Sequence, residues 1–376
     1  MRVSDRLARF GIGAAASVAL ILTGVVSVGA QSTSSKTTTP AKATTTQKAA
    51  PAPAKPTTAP AVKPPQTRSS LAASRAAAAE RARRAAASRA RSAQLARERL
   101  EREAMTPLYR RDLLGNQVPE VRAAAAIVFD PQTNAVLWEQ NAHERRSVAS
   151  LTKLMTALTF VADEPDLNQV VVVTAADMRG ASTTYLRTGD RLSYRDLLHL
   201  ALIPSDNAAA RVLARTSEGG TAAFVGRMNE MATSLGLTNS TYADPSGLDA
   251  RNMASAYDTS HLISFASADP VLGPIVRTSE YTAQTKTRTI AIHSTNRLLG
   301  DSLVASGMDV LGGKTGFISK AGYCLATLLR MPQGPQVAVV VLGAANSTIR
   351  FWEARHLFNW VVGRSAGLIG GTEVIQ

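Results

Sequence analysis

The sequence predicts an α+β domain over residues 106–376, preceded by three N-terminal segments of different composition. Apolar runs with the length and turn signals of β-strands lie at both ends of this domain. The stretch from Ser150 to about Pro270 has mostly helical patterns instead. Strands at both ends with helices between them indicate a mostly antiparallel sheet covered by helices, plus a helical subdomain.

Residues 1–30 have the pattern of an export signal. Three arginines precede an uncharged run of 21 residues, and Val28 and Ala30 place small side chains before Gln31, as signal peptidases require. An uncleaved anchor is the alternative, because an apolar run of this length can also span a bilayer. Whether this segment is cleaved or retained, we expect the rest of the chain to be exported to the periplasm or the cell-wall space. A retained segment would tether the protein to the membrane.

The positive charge of the chain is concentrated in its first third. Residues 1–105 contain 18 Lys/Arg and 5 Asp/Glu, whereas residues 106–376 contain 24 and 23. Residues 31–66, rich in Ser, Thr, Pro, Ala and Lys, predict a disordered linker. Residues 67–105, rich in Ala and Arg, predict a basic helix without a core of its own. We expect this helix to contact an anionic wall polymer or membrane surface; a soluble spacer is the alternative.

Within residues 106–376, two strands on either side of Asp130-Pro131 are predicted to form a β-hairpin. The helical stretches that follow are LTKLMTALTFVA, SYRDLLHLALI, NAAARVLAR and TAAFVGRMNEMATSLG. The strand-like runs after Ser279 are EYTAQT, TIAIHST, MDVLGGKTGF, GYCLATLLRM and QVAVVVLGA. The amphipathic stretch STIRFWEARHLFNWVVGR predicts a closing helix.

Ser150 and Lys153 form a Ser-x-x-Lys pattern at the predicted start of the first of these helices. Residues three apart share a helix face, so the two side chains can meet there. A serine hydroxyl needs a base to become a nucleophile, and a lysine is such a base where burial or a neighbouring cation lowers its pKa. Alone the pattern is weak, since an N-cap serine followed by an exposed lysine also explains it.

Two further motifs follow in order along the chain. Ser205-Asp206-Asn207 lies after a proline and between two predicted helices, in a loop that presents polar side chains. Lys314-Thr315-Gly316 lies in a predicted strand, where glycines allow the backbone of a ligand to approach. A second Ser-x-Asn, residues 294–296, lies at a predicted strand end and is interpreted as structural. Ser-x-x-Lys, Ser-Asp-Asn and Lys-Thr-Gly in this order are the signature of penicillin-binding proteins and class A β-lactamases.

Other chemistries lack their motifs in this sequence. The five histidines are scattered without the spacing of metal ligands, and there is no G-x-S-x-G nucleophile elbow. We therefore expect neither a metal nor another cofactor, and no nucleic-acid partner.

Residues from about 120 to 365 resemble the serine-type D-alanyl-D-alanine peptidases, the low-molecular-mass penicillin-binding proteins. The stretches that carry the likeness are SLTKLMTALT, LLHLALIPSDNAAARVLAR and GGKTGFISKAGYCLA. The resemblance implies the DD-peptidase/β-lactamase fold, a five-stranded antiparallel sheet flanked by helices, with the site between the sheet and a helical subdomain. It also implies peptidoglycan peptide stems as substrates and β-lactams as covalent inhibitors.

The resemblance further implies how the residues divide the chemistry. Ser150 would be the acylated nucleophile and Lys153 its general base. Ser205 and Lys314 would relay the proton to the leaving amine. We expect Lys314 to lower the pKa of Lys153, because a nearby like charge disfavours protonation.

Substrate binding is implied for the remaining motif residues. Asn207 would hydrogen-bond the substrate amide. Thr315, next to Gly316, would hold the substrate carboxylate together with Lys314. The N–H of Phe317 would join that of the nucleophile in an oxyanion hole.

The choice among related enzymes rests on two absences in the sequence. Class A β-lactamases add a glutamate that activates water for deacylation, and the corresponding region here, GLTNSTYADPSG, has none. A peptidase is therefore favoured. Only 60 residues follow Gly316. The resemblance implies that carboxypeptidases of this family continue into a further β domain and an anchor. The short remainder therefore favours a D-alanyl-D-alanine endopeptidase, which cleaves cross-links. An inert wall-binding protein with the same fold is the remaining alternative.

Overall fold

The computed structural model describes residues 68–300, 308–332 and 334–369. The predicted export signal, residues 1–30, and the predicted linker, residues 31–66, lie outside the described residues. No helix within the described ranges combines the length and the apolar character that a membrane span requires.

The described residues form nine helices, thirteen strands and two 3-10 turns. In order they are α1 (Arg68–Ala104), β1 (Leu108–Arg111), β2 (Gln117–Glu120), β3 (Ala125–Asp130), β4 (Ala135–Gln140), β5 (Arg146–Ser147), a 3-10 turn (Ala149–Leu151), α2 (Thr152–Ala162), β6 (Val170–Val172), α3 (Ala175–Met178), β7 (Arg191–Ser193), α4 (Tyr194–Leu202), α5 (Asn207–Thr216), α6 (Gly220–Ser234), β8 (Met253–Ala254), α7 (Ala256–Ala268), α8 (Leu272–Val276), β9 (Glu280–Gln284), β10 (Thr289–His293), a second 3-10 turn (Arg297–Leu299), β11 (Asp309–Ile318), β12 (Gly322–Arg330), β13 (Gln336–Ala344) and α9 (Ser347–Ile369).

The helix α1 is continuous over 37 residues, and its residues 72–100 are all exposed. Ala, Arg and Glu are strong helix formers, and exposed ion pairs such as Arg84–Glu80 at 2.9 Å add a few tenths of a kcal/mol each. This agrees with the predicted basic helix without a core. Contacts divide the chain into a unit that includes residues 68–94 and another that includes residues 95–369.

The predicted five-stranded antiparallel sheet is confirmed, with strand order β11-β12-β13-β3-β4. All six residues of β3 are buried, as expected for a strand covered on both faces. The predicted hairpin at Asp130-Pro131 is the β3–β4 pair, and the Asp130 carboxylate accepts hydrogen bonds from the N–H groups of Gln132 and Thr133 in its turn.

The two faces of the sheet belong to two hydrophobic cores. In β3, Ile127 and Phe129 pack into the core formed with α2, α4, α5 and α7, whereas Ala126 and Val128 pack into the core formed with α9. Residues that alternate along a strand point to opposite faces. The helical subdomain therefore lies on one face of the sheet, and the closing helix α9 covers the other.

Several short strand pairs were not predicted. β1 pairs with β2, β6 with β7, and β5 with β8, each as a separate antiparallel pair. The predicted strands EYTAQT and TIAIHST do form, as β9 and β10, but they pair with each other outside the main sheet. Strands of two to four residues are too short for a hydrophobic period to reveal them.

Candidate active site

Ser150 lies in the 3-10 turn that leads into α2. Ala149 has a left-handed backbone with φ of 49°, an uncommon conformation for a residue with a side chain, so the turn is strained where it presents Ser150. The Thr152 hydroxyl closes the turn by donating to the Ala149 carbonyl at 2.7 Å. Ser150 is half-buried.

Lys153 is fully buried, so the exposed-lysine explanation of the Ser-x-x-Lys pattern is wrong. Its Nζ lies 3.0 Å from Ser150 Oγ, 2.6 Å from Asn207 Oδ1 and 2.6 Å from the Ser246 carbonyl oxygen. The amide and carbonyl oxygens can only accept protons, whereas a hydroxyl can also donate. A neutral Lys153 therefore has its two N–H bonds directed at Asn207 and Ser246, which leaves its lone pair for the Ser150 hydroxyl.

The pKa of Lys153 is lowered to about 7. Burial is the main cause, because it disfavours the charged amine; Arg211 lowers the pKa further, whereas Asp206 and Asp244 raise it. Lysine with this pKa is half neutral at neutral pH. Such a pKa suits a general base that acts near neutral pH.

Lys314 is also fully buried, and its pKa lies well below the usual value. Burial is the main cause, followed by the charges of Lys153 and Arg350. The two amines influence each other: the charge of Lys153 lowers the pKa of Lys314, whereas the pKa of Lys153 is lowered mainly by burial and then by Arg211.

The Ser-Asp-Asn loop lies where α4 ends and α5 begins. Ser205 has a left-handed backbone with φ of 67°, and its buried Oγ has no hydrogen-bond partner among the described residues. Asp206 caps α5 by accepting from Ala209 N–H at 2.9 Å. Asn207 donates from Nδ2 to the Ala181 carbonyl at 2.7 Å, which fixes its Oδ1 toward Lys153.

The Lys-Thr-Gly motif lies on β11, an edge strand of the sheet. This strand passes beside the 3-10 turn that contains Ser150. A Cβ placed on Gly316 would lie 3.1 Å from Ser150 N and 2.8 Å from the Val148 carbonyl oxygen, so only glycine fits there. The next residue, Phe317, is exposed and stacks on Tyr323 with ring centroids 4.2 Å apart. Lys314 Nζ donates to the Thr315 carbonyl at 2.9 Å.

The structure brings the motif residues together to different degrees. Lys153 contacts Ser150 and Asn207 directly. The backbone at Gly316 lies against the 3-10 turn that contains Ser150. Ser205 makes no hydrogen bond to these residues within the described chain, and Lys314 interacts with Lys153 through its charge.

Three groups near the site were not predicted. Thr295 accepts a hydrogen bond from Thr315 Oγ1 at 2.6 Å, so the second Ser-x-Asn adjoins the site, while its Asn296 side chain caps the second 3-10 turn. Arg350 donates to the Gly316 carbonyl at 3.2 Å. Ser246 contributes only its backbone oxygen.

The Ser246 carbonyl is held in place by a loop organised around Asp244. The Asp244 carboxylate accepts from the N–H groups of Ser246, Gly247 and Asp249 and from the Asn252 side chain. Gly247, with φ of +84°, packs so closely that a Cβ there would overlap the Ala149 carbonyl. The turn residues of the DPSG segment are the signal that could have suggested a specific loop.

Within the part of the chain that the structure describes, no group of three or more His, Cys, Asp or Glu side chains is arranged to hold a metal ion. The paired Ser150 and Lys153, with backbone N–H groups beside them, are suited to nucleophilic acyl transfer.

Comparison with known proteins agrees with this chemistry. A family profile described as D-alanyl-D-alanine carboxypeptidase matches residues 114–346. The chain is 33% identical over 247 residues to a D-alanyl-D-alanine endopeptidase of Pseudomonas aeruginosa, covering 64% of this chain and 78% of that protein. It is 35% identical over 258 residues to the D-alanyl-D-alanine carboxypeptidase DacC of Escherichia coli, covering 65% and 62%.

Solved structures give the same result. The DD-transpeptidase of Streptomyces K15 superimposes with a TM-score of 0.60 and 30% identity, over 64% of this chain and 97% of that one. Fold and site together define an active-site-serine peptidase of the penicillin-binding-protein type. The chain belongs to the D-alanyl-D-alanine carboxypeptidase family, as the sequence resemblance predicted.

Proposed function

We propose that the protein is an exported D-alanyl-D-alanine endopeptidase that cleaves cross-links between peptidoglycan peptide stems through an acyl-enzyme at Ser150. The observation that carries the mechanism is the buried Lys153 amine, 3.0 Å from Ser150 Oγ with a pKa of about 7. The relatives named as endopeptidases support the substrate, since this chain covers 78% of the Pseudomonas aeruginosa and Escherichia coli proteins.

Acylation begins with proton transfer from the Ser150 hydroxyl to neutral Lys153. Ser150 Oγ then attacks the carbonyl carbon of the D-alanine that forms the cross-link amide, and the oxyanion receives hydrogen bonds from the N–H groups of Ser150 and Phe317. The C–N bond breaks, and the leaving amine takes a proton through Ser205 and Lys314. Water then hydrolyses the ester.

The remaining motif residues hold the substrate. Asn207 keeps one Nδ2 hydrogen beyond its bond to Ala181, which can donate to a substrate carbonyl. Thr315, with Gly316 leaving room beside it, lies on the strand against which an extended peptide can add as a further strand. Lys314 contributes its amine to the same end of the site.

Two muropeptides distinguish endopeptidase activity from carboxypeptidase activity. A cross-linked dimer should be converted to monomers, and chromatography with mass spectrometry measures both products. Release of the terminal D-alanine from a monomeric pentapeptide, with the dimer untouched, would support the carboxypeptidase alternative and overturn the endopeptidase proposal.

The rate of acylation should depend on pH through Lys153. Only the neutral amine accepts the serine proton, so the rate is expected to fall tenfold per pH unit below about pH 7 and to level off above it. Stopped-flow acylation by a chromogenic β-lactam measures this profile. A rate that is flat between pH 5 and 8 would contradict Lys153 as the base.

Arg350 is expected to position one donor of the oxyanion hole. Its buried guanidinium donates to the Gly316 carbonyl, and in a trans peptide the N–H of the next residue, Phe317, points the opposite way. Arg350→Leu should therefore slow acylation about 100-fold, comparable to the loss of one oxyanion donor, with little change in substrate KM. Partial rescue by Arg350→Lys is expected; an unchanged acylation rate in Arg350→Leu would refute the role.

A further inference from the structure

The β1–β2 hairpin packs beside α9, on the sheet face away from Ser150. Tyr109 of β1 packs edge-on against His356 with ring centroids 5.3 Å apart. His356 in turn stacks on Trp352 at 5.2 Å. The family match begins at residue 114, so β1 precedes the matched region.

The tip of this hairpin presents two leucines to solvent. Leu113 and Leu114 have exposures of 105% and 86%, the two highest among the large apolar residues recorded as exposed in the described chain. The turn is ordered, because Asp112 accepts from the N–H groups of Leu114 and Asn116 at 2.9 and 2.8 Å. Tight turns are usually built from Gly, Pro, Asn, Asp and Ser. Two leucines held outward by a well-bonded turn are therefore an exposed apolar feature that requires an explanation.

Aromatic and basic side chains also lie along α9. Trp360 and Arg364 are four residues apart and so are neighbours on the helix surface, whereas Trp352 lies about two turns earlier. The two tryptophans are partly exposed, and the Arg364 guanidinium lies 5.1 Å from the centre of the Trp360 ring. Desolvation raises the pKa of Asp112, but hydrogen bonds from Asn116 and Leu114 and the charge of Arg364 lower it overall, so this guanidinium is among the charges that act on the tip.

This surface, called the hairpin face below, has three kinds of side chain. Its members are Leu113 and Leu114 at the tip, Tyr109, Arg110 and Arg111 on β1, and Trp352, Trp360 and Arg364 on α9. Its one carboxylate, Asp112, is occupied by hydrogen bonds within the turn.

We infer that the hairpin face docks on the surface of an anionic phospholipid bilayer, with Leu113 and Leu114 inserted among the acyl chains. Tryptophan and tyrosine prefer the boundary between headgroups and acyl chains, where one end of the ring is apolar and the other is wet. The three arginines complement anionic headgroups. Because the face lies across the sheet from Ser150, docking leaves the catalytic cleft open.

The three tryptophans of the chain provide a selective test on the full-length protein. Trp352 and Trp360 belong to the hairpin face, whereas Trp138 is buried and donates from Nε1 to the Pro119 carbonyl. Residues 1–67 contain no tryptophan, so their binding to lipid gives no tryptophan signal of its own. Vesicles of equal parts phosphatidylglycerol and phosphatidylcholine, brominated in the acyl chains, should quench the fluorescence and shift it to the blue. Pure phosphatidylcholine vesicles should quench less.

The double variant Leu113→Asp/Leu114→Asp should lose most of this quenching while its melting temperature stays unchanged. Val170→Asp/Val172→Asp is the matched control, because these valines are also exposed (51% and 40%) but lie on the separate β6–β7 hairpin. The control should quench as the wild type does. The inference is overturned by an unquenched wild type, by equal quenching of the leucine variant, or by a wild-type dimer in sedimentation that the leucine variant dissolves. That last result would show that a second copy covers the face.

Discussion

Ser150→Ala is expected to abolish acylation by penicillin, with a loss of about a million-fold, as for other nucleophiles that act as a unit with their base. The fold should persist, since Ser150 is half-buried and Lys153 keeps its bonds to Asn207 and Ser246. Uptake of a fluorescent penicillin, followed on a denaturing gel, measures the loss.

Ser147→Ala is the matched control for this experiment. Ser147 lies three residues earlier, is buried, and its hydroxyl has no hydrogen-bond partner within the described chain. Its alanine variant should label at the wild-type rate. Labelling of the Ser150 variant at a comparable rate would refute the assignment of the nucleophile.

Lys153→Met should remove most of the activity while leaving the protein stable. Methionine has a similar length and adapts to irregular core spaces, and it avoids the desolvation of a buried amine. The Asn207 and Ser246 oxygens lose a donor, which costs about 1–3 kcal/mol each where no water replaces it. We therefore expect a modest change in melting temperature and a loss of acylation of about 10⁴-fold or more.

Lys320→Met removes an exposed lysine from the turn between β11 and β12 and controls for the change of charge. It should acylate normally. An acylation rate within tenfold of the wild type in Lys153→Met would show that another group takes the serine proton.

The sheet and the three motifs could be predicted because both have signatures in residue type. Strands such as β3 and β13 are long and apolar, and the motif residues carry their chemistry in side chains. The hairpin β1–β2 could not be predicted, since it consists of two four-residue strands of mixed polarity.

The backbone contacts that hold the site together could not be predicted, for a different physical reason. Lys153 bonds to the carbonyl of Ser246, 93 positions away, and Arg350 bonds to the carbonyl of Gly316, 34 positions away. Every residue has a carbonyl, so such contacts leave no residue-type signature. Only the folded structure shows which backbone oxygens accept hydrogen bonds from Lys153 and Arg350.

The sequence predicted a lowered pKa for Lys153 through burial or a neighbouring cation, and burial is the larger cause. The apolar stretch around α2 signalled burial, but not its completeness: nine consecutive residues, Thr152–Phe160, are buried. A helix that is surrounded on all sides places its lysine in a medium of low dielectric. Burial on this scale depends on four other helices packing around it, which a local pattern does not reveal.

The site of the penicilloyl adduct is the most direct test of the mechanism. Trypsin cuts after Arg146 and Lys153, so the nucleophile lies on a seven-residue peptide, SVASLTK, with Ser147 as its only other serine. After brief exposure to penicillin, tandem mass spectrometry of this peptide should place the added mass on Ser150. An adduct on Ser147, on Ser205 or on any other residue would contradict the account.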